Sequence, residues 1–306
     1  MILFFTTTQC STGDAIVQIC EQRNIPIFRF NLDMYHKYQF LWTLHGFEII
    51  DPVEHSINNT QILQAACYKA RLPFHHEMPF SHLVNGEDEW VKSNMNYITN
   101  SLACWLKNRN LLHLWHYSEI EFSKIKQMEI AQKYFEVPEF MIHWGFQLTE
   151  KEVVVKTLTQ KFFSDGRYPY VNEVNRCSLD PVYPWFTQGI AKGNRDATVL
   201  YVNGHIHCYQ FATERGNLTD WRVTQGTDAN KWLPWNAGTA FEQNVDSFMK
   251  ELGLKFGRLD FIIGGKEPQF LEVNPCGQFG WLDDEKLTLH NEVVDAILDP
   301  SSTIYI

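Results

Sequence analysis

The chain has no C-x-x-C pair, no glycine-rich dinucleotide fingerprint, no G-x-S-x-G elbow and no apolar run approaching membrane-spanning length. Each absence closes a class. Seven cysteines (Cys10, Cys20, Cys67, Cys104, Cys177, Cys208 and Cys276) are scattered, and the count is odd. That pattern fits reduced thiols in a cytosolic enzyme better than a disulfide framework or a zinc site. The opening MILFF is short and lacks a basic flank, so it reads as a first strand and not a signal peptide. No membrane partner is expected, and the expected location is cytoplasmic. Positive charge is also scarce, with 26 Lys and Arg against 36 Asp and Glu and a formal net charge of -10. A broad phosphate-binding surface, and with it a nucleic-acid partner, is therefore not expected, although a local basic pocket is still allowed. Internal repeats, low-complexity tracts and long linkers are absent as well.

What is abundant is aromatic surface: 22 Phe, 12 Tyr and 10 Trp in 306 residues, enough for a substantial core in one large domain or two to three small ones. Three segments emerge. Residues 1–118 open strand–helix–strand (ILFFTTT, STGDAIVQICEQRN, IPIFRFN), which implies a right-handed parallel crossover. Ser11 or Thr12 is the expected helix cap, and Asn24 or Pro26 the stop. FLWTLHGFEII then alternates like sheet, and 87–108 is patterned as a helix. Residues 119–185 hold a helix over SKIKQMEIAQKYFEV, ending before Val137-Pro138, then the strand KEVVVKTL with Lys156, and a polar loop over 159–184 that reads as a lid. Residues 186–306 hold the hairpin VLYVNGHIHCYQF around Asn203-Gly204, a helix over FEQNVDSFMKELGL, a second hairpin, and a last helix around 289–298.

That second hairpin, GRLDFIIGGKEPQFLEVNPCGQFGW over 257–281, carries the most chemistry. Strand side chains alternate faces, so Glu272 and Asn274 point the same way. Symmetric pairing about Lys266 sets Asp260 opposite Glu272, beside Ile262 and Phe270, with Leu259, Phe261, Leu271 and Val273 on the other face. Two carboxylates held this close repel unless a cation compensates them. An all-oxygen set suits Mg²⁺, which keeps waters and shares its other positions with phosphates. The alternative is a solvated hairpin with its polar residues outward. His205 and His207 share a strand face, but neither they nor His75-His76 have the spacing of a zinc site.

In order and spacing these landmarks resemble the ATP-grasp superfamily, most nearly the microviridin-type (graspetide) ligases that cross-link side chains of ribosomal peptides. FLEVNPCGQFGW looks like that group's F-L-E-x-N-P-x-G-Q-x-x-W block, and SKIKQMEIAQKYFEVP resembles its N-K-L-x-Q-L-x-x-A helix and Val-Pro strand. VVVK, WFTQGIAK and TDWR resemble the remaining nucleotide and phosphate elements, and CYKARLPF at 67–74 resembles a turn of the N-terminal domain. The resemblance implies an α/β and α+β architecture: an N-terminal α/β pre-ATP-grasp domain (1–118), a central subdomain (119–185) and a C-terminal subdomain (186–306), with ATP between the last two. Asp260, Glu272 and Asn274 match magnesium ligands, implying two Mg²⁺ ions. Lys124 and Lys156 match phosphate-reaching lysines. Gln188 and Ile190 match the adenine hinge, Asp196 an acidic residue near the ribose, and Arg222 an arginine on the phosphate or activated carboxyl. A surface arginine paired with Asp220 is the alternative for Arg222. Where the family usually carries arginine two residues after Asp196, this chain has Thr198, which leaves Arg195 or Arg222 as substitutes.

The activity so implied is ATP- and Mg²⁺-dependent ligation. An Asp or Glu side chain of a precursor peptide is activated as an acyl phosphate and then captured by a Ser/Thr hydroxyl or a Lys amine. The partner implied is a precursor peptide with its leader, and the resemblance also implies a homodimer. Two alternatives stand beside it. One is a ligase that adds an amino acid or small amine to a carboxylate, as in ribosomal-protein glutamylation. The other is a non-catalytic module that binds ATP and peptide.

Overall fold

The computed structural model describes residues 1–69, 87–115, 122–146, 148–156, 158, 172–214 and 232–305. It begins with β1 (Ile2–Thr6), α1 (Ser11–Gln22) and β2 (Ile27–Asn31), joined later by β6 (Gln64–Cys67) in a parallel sheet ordered β2-β1-β6. Every residue of β1 is buried, as expected of a central parallel strand covered on both faces. Its alternation splits two cores. Ile2 and Phe4 face one and Leu3 and Phe5 the other. An antiparallel sheet of β3 (Gln39–Thr43), β4 (Gly46–Ile50) and β5 (Ser56–Asn58) and the helix α2 (Glu87–Lys107) complete this part. The α1 cap differs from expectation: Cys10, one residue before Ser11, is the N-cap, its Sγ accepting from the Gly13 N–H at 3.4 Å. Asn24 ends the helix with φ 54°, the left-handed turn asparagine tolerates.

The middle of the chain supplies α3 (Lys124–Ala131) and an antiparallel sheet of β7 (Phe140–His143), β8 (Glu152–Lys156), β9 (Asn172–Asn175) and β10 (Trp185–Gly189), ordered β7-β10-β8-β9. α3 is shorter than its periodicity suggests, because residues 132–135 close into turns that bond back to Met128, Ile130 and Ala131. The expected 159–184 lid lies partly outside the described residues. Residues 172–175 are not loop: β9 pairs with β8 through Val153↔Val174 and its neighbours, a 3-10 turn follows over Arg176–Ser178, and 179–184 run as turns and irregular chain.

The last part is a five-stranded antiparallel sheet, ordered β13-β12-β11-β14-β15, with β11 (Arg195–Val202), β12 (His205–Phe211), β13 (Trp232–Pro234), β14 (Phe256–Ile263) and β15 (Gln269–Asn274). α4 (Thr239–Leu252) covers one face, and α5 (Thr288–Leu298) packs against α1. The β11–β12 turn is the Asn203-Gly204 pair with φ 47° and 101°, both positive as a type I′ turn requires. Under α4 lies an aromatic cluster in which Phe261 and Phe270 sit 5.6 Å apart and Phe135 lies 5.1 and 5.9 Å from them. Such pairs add about 0.5–1.5 kcal/mol each beyond area burial. They make a stiff floor beneath the opposite face of β14 and β15.

Candidate active site

The β14–β15 register is Arg258↔Asn274, Leu259↔Val273 and Asp260↔Glu272, the symmetric pairing about Lys266 that the pattern predicts. It then slips by one: Phe261 pairs with Phe270, leaving Leu271 unmatched in a β-bulge. The bulge turns Phe270 into the core beside Phe261, not onto the polar face beside Ile262 as strict alternation implies. At the turn, Gly264 has φ 87°, the left-handed region that favours glycine, and the Asn194 side chain is packed against it. A Cβ there would stand 1.9 Å from Asn194 Oδ1, in the segment linking β10 to β11. That segment is laced to the hairpin by the Asn194 N–H donating to the Ile263 carbonyl at 3.0 Å.

The polar face left after the bulge gathers Asp260, Glu272 and Asn274. The Asn274 amide donates to Asp260 Oδ2 at 3.2 Å and to Glu272 Oε1 at 3.4 Å, so it stands between the two carboxylates. The Thr198 hydroxyl donates to Asp260 Oδ1 at 3.0 Å from the neighbouring strand. Lys124 reaches in from the first turn of α3, its Nζ 2.6 Å from Glu272 Oε2. Ser123 caps that helix, and Gln127, one turn on, clamps it to the sheet edge. The Val273 N–H donates to Gln127 Oε1 at 3.0 Å, and Gln127 Nε2 donates to the Phe122 carbonyl at 2.8 Å. Arg258 closes the other side, donating to Asp260 Oδ2 at 3.1 Å.

Burial alone would push the Glu272 carboxyl upward. The Lys124 charge and hydrogen bond, then the charges of Lys156 and Arg258, override it and hold Glu272 well below the usual carboxylate range. Three cationic side chains thus face two carboxylates, an arrangement that favours an anionic ligand bridged by a metal ion over a bare cation. Among the described residues no group of three or more His, Cys, Asp or Glu could hold a metal. The set here is two carboxylates and an amide, which suits Mg²⁺ because that ion takes its remaining ligands from phosphate and water. Half a turn of the Asn274 amide presents its oxygen to the same point.

Of the expected nucleotide residues, Lys156 ends β8 and its field is felt at Glu272. Gln188 is buried on β10 and directs its amide nitrogen to Met128 Sδ at 3.9 Å, toward α3. Ile190 is exposed just after β10, and Asp196 is buried on β11 opposite Ile262, one pleat from Asp260. Arg222 and Asp220 lie outside the described residues. Arg195 is turned away, donating to the Phe211 and Ala212 carbonyls at 3.3 and 3.2 Å and facing Glu214. Among the described residues the arginine at the site is Arg258, which the family motif does not mark. Strand alternation carries the signal, since residue 258 shares a face with Asp260.

All seven cysteines are free, and burial raises Cys276 to about 11, so it stays a neutral thiol beside the site. His207 pairs with Glu292 at 2.9 Å. Among the described residues no helix is long and apolar enough to cross a membrane.

No family profile and no curated protein matches this chain. Solved structures do. A Chryseobacterium gregarium RiPP-associated ATP-grasp ligase, in complex with ADP and a leader and core peptide, superposes with a TM-score of 0.81 at 19% identity, covering 100% of this chain and 99% of that one. The chain has the ATP-grasp fold. The macrocyclase MdnC of Microcystis aeruginosa MRC, bound with its precursor peptide MdnA, gives a TM-score of 0.79 at 17% identity over 97% of this chain and 99% of that chain. D-alanine–D-alanine ligase from Bacillus anthracis gives 0.53 at 13% identity over 98% and 96%. The ATP-grasp architecture therefore spans the whole chain and places the β14–β15 hairpin within it.

Proposed function

We propose that this protein is an ATP- and Mg²⁺-dependent peptide ligase that cross-links side chains of a precursor peptide bearing a leader. The observation that carries the reading is the register-paired Asp260 and Glu272, with Asn274 between them and Lys124 against Glu272, on a chain with the ATP-grasp fold. Solved structures of similar fold include ligases in complex with ADP and a leader and core peptide, or with a minimal precursor, Mg and ADP, which supports the same ligands here.

The nucleotide lies between residues 119–185 and 186–306. Gln188 and the Ile190 backbone meet the adenine edge, and Asp196 lies near the ribose. Lys124 and Lys156 hold phosphate oxygens, and Arg222 is a further phosphate or acyl contact. Asp260, Glu272 and Asn274 would hold Mg²⁺, two ions in this reading, which when bound would supply neutralisation of the charge on the transferred phosphoryl group. A substrate carboxylate oxygen attacks the terminal phosphorus, the bond to ADP breaks, and an acyl phosphate results. A Ser/Thr hydroxyl or the neutral Lys amine of the same peptide then attacks the acyl carbon, the C–O bond to phosphate breaks, the phosphate leaves with the nucleophile's proton, and a lactone or lactam closes. The protein's share is positioning and charge, so no strong side-chain base is needed. Seven free thiols suit the reducing cytoplasm. A homodimer is part of the proposal and is read by light scattering.

The test is the mass of the peptide encoded beside the gene after incubation with protein, ATP and Mg²⁺. Loss of one water per ring, with one ADP formed per loss, supports the macrocyclase. Gain of an amino-acid mass moves the reading to a transferring ligase. No mass change and no ADP with any candidate peptide moves it to a binding module.

A further inference from the structure

The helix α2 has two faces. Leu102, Ala103 and Leu106 are buried in the N-terminal core. The opposite side carries Trp90, Asn94, Tyr97, Ser101 and Cys104, alternately four and three residues apart. That spacing is the 3.5-residue repeat of a helix that meets another helix along a seam. Trp90 is 67% exposed and Tyr97 74%, two turns apart on this one line. A helix face meant for water carries charge. Between Glu89 and Lys107 the only charged residue is Lys92, which pairs with Glu89 at 3.6 Å. Aromatic side chains without charge between them are the composition of the centre of an interface.

The ends of the helix say what covers it. Glu87 and Glu89 stand exposed in its first turn, Lys107 ends it, and Arg109 follows. Glu87 and Lys107 each lie ten residues from Tyr97, and Trp90 and Cys104 each lie seven. A two-fold axis at Tyr97 therefore sets the acidic end of one helix on the basic end of another, with their dipoles opposed. It also sets the large Trp90 against the small Ser101 and Cys104 of a second copy. Parallel pairing would bring Glu87 and Glu89 against their own counterparts.

We propose that this stripe of α2 is where a second copy of the chain docks, the two helices antiparallel about Tyr97. The step rests on the homodimer of the function proposed above. A 21-residue helix is about 30 Å long. One such seam is narrower than the standard patch of about 800 Å² a side, so the dimer forms reversibly.

The test is sedimentation equilibrium of the full chain over a range of concentrations. The wild-type mass should rise from 35.9 kDa toward twice that value. Tyr97→Glu puts two carboxylates at the axis and should weaken association about 100-fold, with the far-UV spectrum unchanged. Under mild copper–phenanthroline oxidation W90C should form a covalent dimer through Cys104 of its partner, and C104S should abolish it. A Leu44→Cys chain, with its thiol fully exposed at the β3–β4 turn, should stay uncoupled. Tyr97→Glu that associates as tightly as wild type overturns the face. So does W90C that links only to its own counterpart, or no faster than Leu44→Cys. Tyr97→Glu that keeps the wild-type mass but loses affinity for the peptide encoded beside the gene overturns it too, and gives the stripe to the peptide. Wild type that stays at 35.9 kDa at every concentration overturns the homodimer itself, a result distinct from a dimer that forms elsewhere.

Discussion

Replacing Gln127 with leucine removes the clamp between α3 and the sheet edge without changing the size of the side chain. β15 is the last strand of its sheet, and its outward N–H groups are received by the segment around α3: Phe270 by the Glu136 carbonyl at 2.9 Å and Val273 by Gln127 at 3.0 Å. In Gln127→Leu the buried Val273 N–H loses its acceptor, at about 1–3 kcal/mol, and the part-buried Phe122 carbonyl loses a donor worth about 0.5–1.5 kcal/mol. The sum, about 2–4 kcal/mol, is a large share of a typical stability of about 5–15 kcal/mol. At about 2–4 °C per kcal/mol it lowers Tm by roughly 4–16 °C. Because Lys124 lies one turn before Gln127, the same change loosens its 2.6 Å contact with Glu272 and raises KM for ATP. Gln127→Glu keeps the acceptor and loses the donor, so it should fall between. Thermal unfolding with matched ATP titrations reads both effects. A Gln127→Leu protein that melts within about 1 °C of wild type and keeps its KM for ATP refutes the reasoning.

Glu272 has a depressed folded-state pKa, so its contribution to stability is present above the unfolded carboxylate value and is lost as pH falls below it toward the folded one. Glu272→Gln should therefore lose less Tm than wild type on acidification from neutral pH to below 4.5, the ordinary value, and parallel curves would contradict the Lys124 pairing. Phe270→Ala opens the aromatic floor and should cost about 3–5 kcal/mol in urea unfolding; a cost under about 1 kcal/mol would place Phe270 on the polar face after all. Arg195→Ala should leave ATP turnover within about twofold, since that side chain faces carbonyls away from the carboxylates. A large loss of turnover would return Arg195 to the site.

The parts of this site that local pattern dictates are legible in the sequence. Alternation and a glycine turn suffice to set Asp260 against Glu272, and Asn203-Gly204 announces its own hairpin. What escapes the pattern is decided by tertiary packing. The bulge at Leu271 depends on Phe270 joining Phe135 and Phe261, residues far apart in sequence. The Gln127 clamp joins positions 146 apart, and no local signal marks it. β9 is a strand only because β8 offers it an edge, within a stretch whose polar, proline-bearing composition reads as loop. Cys10 caps α1 through a sulfur, a weaker acceptor than the neighbouring hydroxyls that composition favours. Arg258 was visible by strand periodicity, but a motif centred on acidic and amide ligands gives no reason to look one pleat away.

The central claim is that the face holding Asp260, Glu272 and Asn274 is the magnesium end of a nucleotide site, and calorimetric titration of ADP with and without Mg²⁺ tests it most directly. Wild type should bind ADP much more tightly with Mg²⁺ than without, and Glu272→Gln should bind with the weaker affinity in both cases while keeping its fold. Equal affinities for wild type with and without the metal, or a Glu272→Gln protein that keeps the full Mg²⁺ effect, would contradict the account.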